Sequence, residues 1–256
     1  MLRIGAAVRG AVLRVIDRTL ARKATAEAVG SAFLVAIVVG SGIYAQRLSP
    51  HDVGLQLLEN STATGAGLVA LILAFGPVSG AHFNPVVTLA DRLLGGISTG
   101  AAAVYVVAQV AGCCVGAVVA NLMFGLDAVT LSTHTRSSGG LWLGEFVATL
   151  GLLLVIFGIV RSGRSALAPF AVGGYIAAAY WFTSSTSFAN PAVTIARTLS
   201  NTFAGIRPSS VPPFVAVQIL AGLVAVVLVK FLHPDVAAVD VVVPHEHSGE
   251  HSNVPT

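Results

Sequence analysis

Two nearly identical heptapeptides, Asn84-Pro85-Val86-Val87-Thr88-Leu89-Ala90 and Asn190-Pro191-Ala192-Val193-Thr194-Ile195-Ala196, stand 106 positions apart in otherwise apolar sequence. Asn followed by Pro begins helices. The Asn side chain caps free N–H groups, and Pro in the first helical position gives up a donor that would be unpaired there anyway. The duplication predicts two short helices that begin at mid-membrane depth and turn the positive ends of their dipoles on a shared point.

The membrane setting follows from composition: 55% of residues are hydrophobic and 10% charged, against about 25% charged in a soluble domain. A helix needs about 20 apolar residues to cross a bilayer. Stretches of that kind lie near Thr25–Gln46, Thr62–Ser79, Thr99–Phe124, Leu141–Val160, Ala166–Thr183 and Pro213–Leu232. The expected fold is an all-α membrane protein with six transmembrane helices and two re-entrant half-helices after Asn84 and Asn190. From Asn84 to Leu94 a helix runs about 16 Å, roughly half the hydrocarbon thickness. Frequent Gly and Ala on the spans favour close helix packing.

The duplication extends to a glutamate near the start of the first and fourth spans, Glu27 and Glu145. Each half is then a Glu-bearing span, a second span, an Asn-Pro half-helix and a third span. Three spans is an odd number, so the second copy enters from the opposite face and the repeat is inverted. The half-helices meet by their N-termini. Non-helical backbone at that depth is tolerated where it is buried or lines a watery cavity, so the meeting point calls for a pore or binding site.

Three segments follow: a basic cytoplasmic arm over 1–24, a channel domain over 25–232 with repeats at about 25–124 and 141–232, and a disordered tail over 233–256. Ten Lys and Arg fall on the side of the termini and four opposite, which places both termini in the cytoplasm and the protein in the cell's inner (plasma) membrane. The net charge of +3 is thereby assigned to topology and the lipid surface, with no nucleic-acid partner implied. The arm reads as an interfacial helix on anionic lipid, since it lacks a separate apolar core and cleavage site. Cys113 and Cys114 are adjacent within the third span and read as small apolar residues. The tail's His245, Glu246, His247, Glu250 and His251 are types that can bind a divalent metal, but a solvated tail is the simpler reading, and no metal site or cofactor is assigned.

With these motifs in view, the chain resembles the aquaporin (major intrinsic protein) family. Ser79-Gly80-Ala81-His82-Phe83-Asn84-Pro85-Val86 is similar to its first signature loop and Ser187-Phe188-Ala189-Asn190-Pro191-Ala192 to its second. The resemblance implies a bundle of six spans and two half-helices, a homotetramer with one pore per subunit, and no enzymatic activity. In that pattern the amides of Asn84 and Asn190 face the lumen, and the opposed dipoles exclude cations and break proton relays. Glu27 and Glu145 are expected to brace the re-entrant loops. The competing reading is a proton-coupled secondary transporter in which they carry protons. A membrane hydrolase is a third, for which no nucleophile–base pair emerges. His82 is expected at the cytoplasmic vestibule, where its imidazole could also gate with pH.

Two positions depart from the pattern. Val86 stands where Ala is usual. Val193 stands where most relatives carry the Arg of the outer filter, and Arg197, one turn further on, is expected to point elsewhere. Offsets from the two Asn residues give a filter of Thr64, Ala178, Ser187 and Val193, although a register shift at Ala178 would bring in Tyr180 or Trp181. Such a filter is uncharged and wide. It resembles a bacterial arsenic-associated branch with Val in place of the filter Arg. The expected cargo is small neutral solutes: arsenite or methylated arsenicals, glycerol-like polyols, urea or ammonia, with water as a further candidate.

Overall fold

The structure, a computed structural model, describes residues 2–234, with side chains from Arg18 onward. The readings of the tail beyond Pro234 and of the arm's first side chains lie outside those residues. Among the described residues eight α-helices occur in the order α1 (Leu2–Leu48), α2 (Val53–Ser79), α3 (Pro85–Leu94), α4 (Thr99–Met123), α5 (Gly139–Arg161), α6 (Ala168–Phe182), α7 (Pro191–Ala196) and α8 (Val211–Leu232). Six helical stretches, all but α3 and α7, are long and apolar enough to cross a membrane.

Helix boundaries follow local chemistry. Asn84 and Asn190 are N-caps in extended conformation, with Pro85 and Pro191 in the first turn, as the motif predicts. α3 stops at Gly95, which takes the left-handed conformation at φ 94°. α7 lasts six residues before tightening into a 3-10 turn over Arg197–Leu199.

Two elements differ from the sequence expectation. No break separates the basic arm from the first span, since α1 is one helix from Leu2. And α2 starts at Val53, well before Thr62, with Asp52 accepting from the Leu55 N–H. Most of its polar side chains there find partners inside the protein. The Asn60 amide donates to the Val38 carbonyl at 2.9 Å and to Ser41 Oγ at 2.8 Å, and Gln56 donates to the Ser49 carbonyl. Polarity there marks packing against α1 rather than a loop.

The repeats interlock. α1 packs on α2 and α4, and α5 on α6 and α8, while α2 crosses α6 between the halves. Each half-helix also leans on the last span of the other repeat, α3 on α8 and α7 on α4. Close approach depends on missing side chains: a Cβ at Gly112 or Gly116 would stand 2.1 Å from the carbonyl oxygens of Ala28 or Ala32 on α1. Gly65 of α2 and Gly173 of α6 face each other's carbonyls in the same way. With no hydrophobic drive between helices in lipid, such contacts carry the assembly.

Candidate functional site

The two re-entrant loops, residues 80–84 and 184–190, form the middle of the molecule and are unusually strained. Ala81, Phe83, Thr186, Ser187 and Ala189 have φ between 47° and 62°, a region costing an ordinary L residue roughly 1–2 kcal/mol. Two of these pairs, Ala81 with Ser187 and Phe83 with Ala189, occupy equivalent places in the repeats. What holds them is the pair of buried glutamates. Glu27 Oε1 accepts from the His82 N–H at 3.0 Å and Ser79 Oγ at 2.6 Å, and its Oε2 accepts from the Phe83 N–H at 2.7 Å and Gln109 Nε2 at 2.8 Å. Glu145 accepts from the Phe188 and Ala189 N–H groups and from Gln218 Nε2. In a planar trans peptide the C=O points opposite to the N–H. Turning these N–H groups onto a carboxylate therefore turns the carbonyls of Ala81, His82, Ser187 and Phe188 away from it, toward the centre.

A cavity runs through that centre, lined from both repeats by the loops, both capping Asn residues and an apolar wall including Leu34, Leu68, Leu152 and Ile176. Glu27 and Glu145 do not line it. Each Asn does two things at once. Asn84 Oδ1 accepts from the Val86 N–H while its Nδ2 donates to the Ala189 carbonyl at 2.7 Å. Asn190 Oδ1 accepts from Ala192 and Val193, and its Nδ2 donates to the Phe83 carbonyl at 2.7 Å. Each loop is thus tied to the other, and each amide keeps its second hydrogen for the lumen.

Val86 does not face the lumen. It is 1% exposed, and its Cγ1 fills the space above Gly222 of α8, 2.6 Å from where a Cβ would be. Ala192 is fully buried at the equivalent place.

On the α7 side, Thr64, Ser187 and Val193 line the cavity as the offsets suggest, and the Ser187 hydroxyl has no protein partner. Ala178 does not line it. That residue is exposed on the outer face of α6, and Tyr180 takes its place, its hydroxyl 3.2 Å from Thr64 Oγ1. Two residues turn a helix by about 200°, so this small misregister selects the opposite face. Trp181 lies outside as well, half-exposed and bonded to Ser61.

Arg197 corrects the sequence reading further. It is 2% exposed and lines the same cavity as Val193. Residues four apart share a helix face, and long side chains lean toward the N-terminus, so an Arg one turn on reaches back toward the lumen. Its Nε donates to the Ala204 carbonyl, and its guanidinium carbon lies 3.4 Å from the centre of the Phe188 ring. Among the described residues no carboxylate pairs with it and no protein acceptor takes its two terminal nitrogens. Nearby, Arg136 of the α4–α5 connection joins the carbonyls of Ser185, Phe203 and Gly205. Burial pushes its pKa below the ordinary guanidinium value, and Glu145 opposes that fall.

On the α3 side His82 is half-buried against the lumen, its Nδ1 3.0 Å from Thr88 Oγ1. Asp91 lines the same stretch at 2% exposure. Sequence reading passed over Asp91, held Tyr180 only as a register-shifted alternative and set Arg197 aside. For Asp91 and Arg197 a signal existed, because they are as far apart as the two capping Asn residues and so are repeat equivalents. Cys113 is buried and, like Cys114, is a free thiol.

Comparison with known proteins agrees with this geometry. The family model of the major intrinsic protein matches residues 15–187. Aquaglyceroporin AqpS of Rhizobium meliloti (strain 1021) is 49% identical over 213 residues, 83% of this chain and 91% of that protein. Aquaporin NIP1-2 of Arabidopsis thaliana is 33% identical over 166 residues, 60% of this chain and 55% of that protein. Among solved structures, the aquaglyceroporin from Plasmodium falciparum superimposes with a TM-score of 0.65 at 20% identity, covering 84% of this chain and 98% of that one.

Proposed function

This chain belongs to the major intrinsic protein family, and on that premise we propose that it is a passive pore for small neutral solutes whose filter is built from Thr64, Tyr180, Ser187, Val193 and Arg197. Family members are multi-pass membrane channels for water and small solutes rather than enzymes. The observation that carries the finer reading is the divided use of polar groups. The lumen keeps one amide hydrogen from each of Asn84 and Asn190 and the Ser187 hydroxyl, while both glutamates are engaged with donors outside it.

That division favours a channel over a proton-coupled transporter. Glu27 holds four donors and Glu145 three, so protonating either carboxylate would work against bonds that shape the loops. Val193 widens the lumen where a filter Arg would otherwise intrude, and Arg197 supplies a cation from one turn further along. The reading of an uncharged filter is therefore replaced by a wide one with an offset charge. It admits solutes with acceptor oxygens, such as urea, glycerol-like polyols and the neutral hydroxide of trivalent arsenic, together with water. The similarity to a protein named an aquaglyceroporin supports solutes larger than water.

The assembly proposed is a homotetramer in the inner (plasma) membrane with both termini cytoplasmic. Large exposed apolar side chains such as Phe33, Val107, Leu143 and Phe231 suit lipid or a neighbouring subunit. Stopped-flow light scattering of proteoliposomes, with glycerol, urea and arsenite as the driving solutes, tests the function. Flux should follow each gradient downhill without saturating and should ignore an imposed proton gradient. Flux that requires the proton gradient would return the proton-coupled reading.

A further inference from the structure

Asp91 is a carboxylate inside the membrane that nothing in the pore described so far requires. An ionisable group at such depth is costly and points to function. It is 2% exposed in the wall of the lumen, and neither Oδ1 nor Oδ2 has a hydrogen-bond partner. Burying a charged acceptor unpaired costs the full desolvation of the group. Among the described residues the one cationic candidate facing it is His82, whose Nε2 lies 3.7 Å from Oδ2, too far for a hydrogen bond.

The surrounding bonds decide where the imidazole protons lie. Thr88 Oγ1 gives its single hydrogen to the Asn84 carbonyl and accepts from Gln109 Nε2. It can therefore only accept from His82, so Nδ1 carries a proton. With Nδ1 protonated, a neutral ring would turn the bare lone pair of Nε2 toward a carboxylate. Both Asp91 oxygens are thus left without a protein donor.

We propose that Asp91, positioned beside His82, is a docking point on the α3 side of the lumen for small neutral solutes that present two hydrogen-bond donors side by side. Urea is such a solute, and vicinal diols and neutral polyhydroxides share the chemistry. A carboxylate accepts two parallel donors with bidentate geometry, and a solute in the lumen supplies the donors the protein withholds. Arg197 holds the equivalent place in the second repeat. The lumen therefore offers acceptors at one end and donors at the other, and a solute bearing both kinds of group is handed from one to the other.

The inference rests on the channel reading above, and the test separates the two. Urea and acetamide are of similar size, but only urea carries two N–H groups on neighbouring nitrogens that can engage both oxygens. In proteoliposomes of the full chain, Asp91→Asn should lower urea permeability about fivefold and acetamide permeability less than twofold. Asp91→Leu should lower the urea-to-acetamide ratio at least as far. An unchanged ratio in both variants overturns the docking point and leaves the channel standing. An equal fall for both solutes also overturns it, because Asp91 would then serve the fold alone. A wild-type chain that passes neither solute overturns both readings.

Discussion

At the scale of single residues, the α7 half of the lumen depends on one guanidinium reaching back along its helix. Arg197 stacks on Phe188 and is anchored by one nitrogen to Ala204, leaving its terminal nitrogens for the lumen. A fixed positive charge beside a narrow low-dielectric path raises the barrier to cations. Arg197→Gln keeps some hydrogen-bonding capacity and removes the charge. Sodium leak into proteoliposomes should rise about tenfold, equivalent to about 1.4 kcal/mol of barrier, while urea still permeates. An unchanged leak would confine Arg197 to holding the loop at Ala204. The residue scale is also where sequence was hardest to read. Arg197 was set aside for being one turn from the usual position, yet four residues is the spacing that keeps a side chain on the same face. The misplaced Ala178 fails for the opposite reason, because a count wrong by two selects the far side of α6.

Individual elements were more legible, since their signals are local and repeated. The Asn-Pro pairs fix where α3 and α7 begin, and the glutamates predicted to brace the loops do bond the loop backbone. The start of α2 was missed because Gln56, Glu59, Asn60 and Ser61 look like a loop until Ser49, α1 and α6 provide their partners. Sequence could not show how Val86 is accommodated, because the compensation lies on α8. Gly222→Ala should push a methyl into Val86 and destabilise the fold by about 1–2 kcal/mol. Adding Val86→Ala should recover most of that loss. Thermal unfolding in detergent, measured for both single variants and the double, gives the coupling. Additive losses would mean that the two residues do not share the space.

For the molecule as a whole, inversion of the repeats was readable from the odd number of spans in each half, but not how the halves are joined. The orientation proposed from Lys and Arg can be read directly. In a background with Cys113 and Cys114 replaced by Ala, Asp127→Cys in the α4–α5 connection should react with a membrane-impermeant maleimide on whole cells. Arg164→Cys in the α5–α6 connection should react only after permeabilisation. The reverse pattern would invert the topology and put Asp91, rather than Arg197, at the outer end of the lumen. The crossed bonds from Asn84 to Ala189 and from Asn190 to Phe83 also impose an order on biosynthesis. The first re-entrant loop lacks its final hydrogen-bond partners until more than 100 further residues have been made. At about 5–20 residues per second, it waits some 5–20 seconds in the membrane with strained backbone and polar groups unanswered. During that interval the nascent chain has half of a pore and depends on the insertion machinery, or on water held with it, to keep that half open.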